Sequence, residues 1–269
     1  MQNIVCRTVF EGMFWMKTEK RIVRLEPFGP AKTGMQKMHL EPEDFQSEIP
    51  MQHIHVYYED ETLGLSVGVW DTTSMQEVFG PYPGDEFMWV LEGQVSMIDG
   101  DDNATIIRKG QTFCVRNAIP VSWKQEGFLR KFFMTYADPK AAPPEITSAK
   151  GGIVILDAAQ KMGKLDSTEL LVVNGAIPRQ HEHIIFTNDA KNMLVGMWDS
   201  GALDSEMRPF PRYEFVQMLE GAVTITEEDG TSHMFKAGDA FFVPKGTVCS
   251  WKIDSYVKKF YAILDLSSD

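Results

Sequence analysis

The sequence predicts an all-β chain built as two similar barrels or sandwiches in tandem, and three observations carry that reading. The second half repeats the first at a constant offset of 128 residues, with Ile49 falling on Ile177. Each copy is a string of short runs rich in β-branched and aromatic residues, cut by Gly, Pro and Asp-Gly turns. Helical periodicity is scarce, and many short strands at regular spacing argue for a sandwich or a barrel.

The repeat is read first because a fixed period decides the architecture. "IPMQHIH" at 49–55 recurs as "IPRQHEH" at 177–183, and "VGVWD" at 67–71 as "VGMWD" at 195–199. The same offset carries Pro81 and Pro83 onto Pro209 and Pro211, and "EFMWVLEGQV" at 86–95 onto "EFVQMLEGAV" at 214–223. Gly110 meets Gly238, and the "SWK" at 122–124 meets the "SWK" at 250–252, all without a gap. A short apolar segment opens each copy, "RIVRL" at 21–25 and "GGIVIL" at 151–156. Within each copy "QVSMIDGDDNATII" and "AVTITEEDGTSHMF" read as hairpins, the second turning at Asp229-Gly230. "ADPKAAPPEITSAKGG" at 137–152 has the composition of an exposed connector. The expected division is an N-terminal arm over 1–48, a first barrel over 49–139, a linker over 140–152 and a second barrel over 153–269.

Composition narrows the classes of function. The 269 residues suffice for two modest cores, and 43% hydrophobic with 24% charged residues is ordinary for a globular protein. Thirty-eight acidic against 26 basic side chains give a net charge of −12, which disfavours nucleic-acid and anionic-lipid partners. Arg7, Glu11 and Lys17 interrupt the N-terminal apolar patches, so no signal-peptide core or membrane span is expected. Cys6, Cys114 and Cys249 are odd in number and lack metal-type spacing, which fits free thiols in a cytoplasmic protein.

Glu86 followed by "FMWVL" and Glu92-Gly93 resembles the first cupin motif, and "KGQTFCVRNAIPVSW" and "AGDAFFVPKGTVCSW" resemble the second. The second copy keeps a Gly-x5-Pro-x-Gly frame through Gly238, Pro244 and Gly246. With Trp123 and Trp251, and the upstream "GVW" and "GMW", the chain resembles the DUF861-like cupins, which include ureidoglycine aminohydrolase-type bicupins and ethanolamine-utilisation cupins. The resemblance implies two jelly-roll barrels related by internal duplication. It also implies a metal frame of paired histidines, a Glu and a third histidine in each barrel. In the first copy the frame falls on Gly80, Tyr82, Glu86 and Val121; in the second it falls on Arg208, Phe210, Glu214 and Cys249. One carboxylate, alone or with one thiol, is too small a donor set for a transition metal, so no cofactor is expected.

The candidate catalytic residues are therefore Glu214 and Glu86, with Lys259 and Lys131 at matched positions supplying the positive charge. A carboxylate in an apolar cavity has its pKa raised and can move protons. Arg208, Arg212, Tyr213, Cys249 and Trp251 in the second copy, and Arg116 and Trp123 in the first, are candidate ligand-binding residues; the arginines suit a carboxylate. The duplicated pairs His53, His55 and His181, His183 are the fallback set for a divalent metal, since residues i and i+2 share a strand face. The alternative for them is packing at an interface between barrels or subunits. The functional expectation is a degenerate, metal-independent bicupin that binds or transforms a small polar metabolite, by hydrolase, isomerase or lyase chemistry if it is an enzyme. A metal-dependent aminohydrolase of the ureidoglycine type and a non-catalytic binding or structural bicupin remain the alternatives. A homodimer is expected because barrels of this kind expose sheet edges.

Overall fold

In a computed structural model the described residues are 20–168 and 171–266. They are nearly all strand and loop, with 3-10 turns at Pro30–Lys32 and Pro42–Asp44. No helix among them is long and apolar enough to cross a membrane. The chain divides into two compact units, whose described parts are 26–156 and 20–25 with 157–266.

In the first unit a seven-stranded antiparallel sheet runs in the order Ile153–Ile155, Thr112–Val115, Asp85–Glu92, Leu129–Tyr136, Leu65–Thr72, Gln52–Asp60, Gln36–Lys37. A second sheet pairs Pro120–Gln125 with Gln94–Ile98, Met75–Gln76 and Gly80–Pro81, and adds Ala104–Arg108 at its edge. One apolar core joins them: Met88, Phe113 and Phe133 from one sheet meet Met97, Ile107 and Trp123 from the other. Alternating side chains make this possible, since every second residue of each strand turns inward.

The second unit repeats the plan as one nine-stranded sheet. Strands Tyr213–Glu227 and Val248–Leu264 are long enough to serve both walls, and they bend where the register shifts between Gly221 and Thr224. The matching bend in the first unit falls at Gly93. Both glycines have positive φ, 78° and 74°, and a Cβ would lie 2.2 Å from the Phe128 carbonyl oxygen or 1.9 Å from that of Tyr256. Only glycine fits that corner. The duplication holds residue by residue in the pairing: Glu86 faces Thr135 as Glu214 faces Ile263, and Gln52 faces Thr72 as Gln180 faces Ser200.

The two opening segments are not where the repeat places them. Ile153–Ile155 pairs with Thr112–Val115 and belongs to the first unit, while Val23–Leu25 pairs with Ala240–Val243 and belongs to the second. The expected linker and arm boundaries shift accordingly. The first unit runs on through Leu156, and much of the expected arm, 26–48, is already part of it.

Candidate functional site

The strand Val248–Leu264 carries Lys259 into the interior of the second unit, and Tyr213–Glu227 brings Glu214 beside it. The Lys259 ammonium donates to Glu214 Oε1 at 2.5 Å, and both side chains are buried. Two indoles flank the ammonium, with ring centroids 4.9 Å (Trp198) and 4.8 Å (Trp251) away. Such faces stabilise a cation that has lost its water. Gln180 fixes one of them, accepting from Trp198 Nε1 at 3.1 Å. Burial lowers the Lys259 pKa, and the Glu214 carboxylate draws it partly back up.

This pair lies at one wall of a cavity of about 250 Å3. Arg212, Glu182, Tyr261 and Phe210 line it as well. Arg212 Nε is 3.7 Å from Glu214 Oε2, too far for a hydrogen bond, and it is buried without an acceptor among the described residues. Tyr261 donates its hydroxyl to Glu182 Oε1 at 2.7 Å. Burial, then the Glu182 charge, push the Tyr261 phenol far above its ordinary range, so it stays a donor.

In the first unit the equivalent pair closes on itself. Lys131 donates to Glu86 Oε1 at 2.7 Å under the ring of Trp123, 4.9 Å away, and Tyr82 donates to the other carboxylate oxygen. Trp70 Nε1 donates to Gln52 at 3.3 Å, repeating the Gln180 contact. Glu77, half-buried nearby, has its pKa pushed up to about 7, chiefly by burial and further by Glu86 and Asp44, while Lys131 pulls it down.

The remaining sequence candidates are placed as follows. Arg208 is exposed and pairs with Glu206 at 2.7 Å; it does not line the cavity. Tyr213 stacks on Phe242 at 6.4 Å between centroids, also off the cavity lining. Arg116 lies in the first unit, where its backbone N–H donates to Gly152 at 2.8 Å. Cys249 is buried, and burial pushes its thiol up to about 11, with Trp251 acting the other way. That thiol is no ready nucleophile or ligand.

The histidine pairs occupy the wrong strand face for a barrel-centred metal. Gln180 and Glu182 line the cavity, so His181 and His183 alternate away from it. His181 Nδ1 bonds Asp199 at 2.7 Å and His53 Nδ1 bonds Asp71 at 2.8 Å, the same contact in each copy. No group of three or more His, Cys, Asp or Glu side chains suited to a metal ion occurs among the described residues. At the barrel centre the donor set does not fit one either, because the lysine ammonium fills the space beside the glutamate and has no lone pair to give.

Glu182, Tyr261 and Gln180 were not singled out as cavity residues in the sequence. For Glu182 and Tyr261 the signal is the unlike residue at the 128-residue offset, where Glu182 replaces Ile54 and Tyr261 replaces Phe133, as Arg212 replaces Gly84; Gln180 falls on the identical Gln52 and carries no such signal.

Residues 189–261 match the EutQ-like cupin domain family. A DUF861-family protein of unknown function from Pseudomonas syringae pv. tomato has a similar structure, with a TM-score of 0.70 and 21% identity, covering 91% of this chain and 100% of that one. A cupin 2 conserved barrel domain protein from Leptotrichia buccalis aligns with a TM-score of 0.53 at 9% identity, covering 82% of this chain and 91% of that one. No curated protein matches the sequence. The EutQ-like cupin match lies within the second unit, and the likeness to solved structures extends a cupin fold over most of the chain.

Proposed function

We propose that the second barrel holds a small carboxylate-bearing metabolite, using Arg212 for the carboxylate and the Glu214–Lys259 pair in place of a metal. The observation that carries this is Arg212 on the cavity wall, whose guanidinium makes no hydrogen bond among the described residues and lies 3.7 Å from Glu214 at its nearest ion-pair contact. A guanidinium on a cavity wall that the protein leaves without hydrogen bonds offers its planar fork to a carboxylate entering the cavity. The cavity, at about 250 Å3, is smaller than the ~300–1,000 Å3 typical of drug-sized ligands, so the occupant is metabolite-sized.

A proton-transfer role rests on Lys259. Its lowered pKa eases loss of a proton, and Glu214 at 2.5 Å is positioned to exchange one with it. Calorimetric titration of the full chain with small carboxylic acids, with and without an amino group, tests the binding reading. At least one is expected to bind, and Arg212→Met is expected to weaken it by about tenfold or more. Arg208→Met, at an exposed ion pair, is expected to leave binding unchanged. Equal binding by the wild type and Arg212→Met would remove the proposal.

A further inference from the structure

We propose that the ligand also carries a cationic nitrogen, and that Glu182 is the residue that selects it. The inference rests on the carboxylate reading of the same cavity and adds the other end of the molecule. Glu182 stands where the first copy has Ile54, and it brings a carboxylate to the cavity wall. Tyr261 holds one of its oxygens at 2.7 Å. That contact is built into the sheet: Gly196 on the adjacent strand is bare, and a Cβ there would lie 2.4 Å from the Tyr261 hydroxyl. The other Glu182 oxygen takes no hydrogen bond, and neither basic group of the cavity forms an ion pair with Glu182 among the described residues. Lys259 is committed to Glu214, and Arg212 lies nearest Glu214 as well.

Charge points the same way. The cavity lining holds three carboxylates, Glu182, Glu214 and Asp265, against two bases, Arg212 and Lys259. A simple carboxylate would deepen that excess of negative charge, whereas a zwitterion leaves it unchanged and gives both Arg212 and Glu182 an opposite partner. A half-buried carboxylate with one oxygen left without a hydrogen bond and no basic group in direct contact favours a cationic partner, and an ammonium donating to it is among the stronger hydrogen bonds. The ligand class is therefore a small amino acid or a close analogue, with its carboxylate on Arg212 and its nitrogen on Glu182.

Calorimetry on the full chain tests this with glycine, L-alanine, L-serine and β-alanine, each against its deaminated acid and its decarboxylated amine. At least one amino acid is expected to bind about tenfold tighter than both of its counterparts. Glu182→Gln, an isosteric change, is expected to bring the amino acid down to the affinity of the deaminated acid and to leave the acid itself unaffected. Tyr261→Phe is expected to narrow the same gap by less, as befits a positioning residue, and it guards against a folding defect in the first variant. If acids bind through Arg212 with no preference for the amino group, the inference fails and the carboxylate reading stands. If amines without a carboxylate bind best, or if nothing in the panel binds at millimolar concentration, both fail.

Discussion

The interiors of the two barrels share an ion pair and differ in what surrounds it. In both, a lysine under an indole donates to a buried glutamate, with a Gln–Trp contact behind it. In the first barrel Tyr82 takes the remaining glutamate oxygen, and Ile54 and Phe133 stand where the second has Glu182 and Tyr261. Phe210, at the Tyr82 position, has no hydroxyl to give, and Arg212 replaces Gly84. The pair is thus a shared frame, and a handful of substitutions decide whether it is saturated by the protein or left facing a cavity. A buried ion pair is weak evidence of catalysis by itself; its surroundings carry the functional information.

The comparison breaks most visibly if one lysine is removed from each barrel. Lys131→Met strands Glu86 in an apolar core and should cost about 3–5 kcal/mol in urea unfolding. Lys259→Met should cost less, on the order of 2 kcal/mol, because the cavity admits water and Arg212 lies 3.7 Å from the same carboxylate. Equal losses would mean that the cavity does nothing to relieve the stranded charge.

Exchanging the hydroxyl sharpens the contrast. Tyr82→Phe removes a donor from Glu86 and should destabilise by about 1–3 kcal/mol. Phe210→Tyr offers Glu214 the donor it lacks and should reduce binding of the carboxylate panel while holding or raising thermal stability. Unchanged binding in that variant would separate the ion pair from the ligand site.

The smallest effect concerns Glu77, whose counterpart in the second barrel is the neutral Ser205. With its pKa pushed up to about 7, the folded chain binds a proton that the unfolded chain releases from near 4.5 upward. Stability contributed by this group is therefore complete below the unfolded value and is lost as pH rises through about 7. Glu77→Gln should remove that loss, leaving the variant more stable than the wild type above that pH and no different in acid. Chemical denaturation at several pH values reads the difference, and a pH-independent offset would show that Glu77 does not titrate in this range.

Much of this was legible in the sequence because duplication acts as an internal control. Glu86 with Lys131 and Glu214 with Lys259 stood out as repeated charges on strands that are otherwise apolar, and the structure pairs them. The indoles of Trp123 and Trp251 were legible for the same reason. Arg208 and Arg212 looked alike in sequence, yet one is exposed beside Glu206 and the other lines the cavity. Strand parity hid Glu182. Identical histidines on either side drew attention to the outward face, while the informative residue was the unmatched one pointing inward. The destinations of 21–25 and 151–156 were not legible, because pairing at a sheet edge is decided by distant partners, Phe242 in one case and Cys114 in the other.

That edge pairing has a consequence for how the protein is made. The strand Val23–Leu25 leaves the ribosome long before its partner Ala240–Val243. At roughly 5–20 residues per second, the early strand waits on the order of ten seconds or longer for its place. The first barrel can close once Leu156 has emerged, well before the second begins to assemble. A gene fragment cut between the two units cannot reproduce this order. A fragment starting at Asp157 lacks the strand that covers Phe241 and Phe242, and its exposed sheet edge is a template for association with other chains.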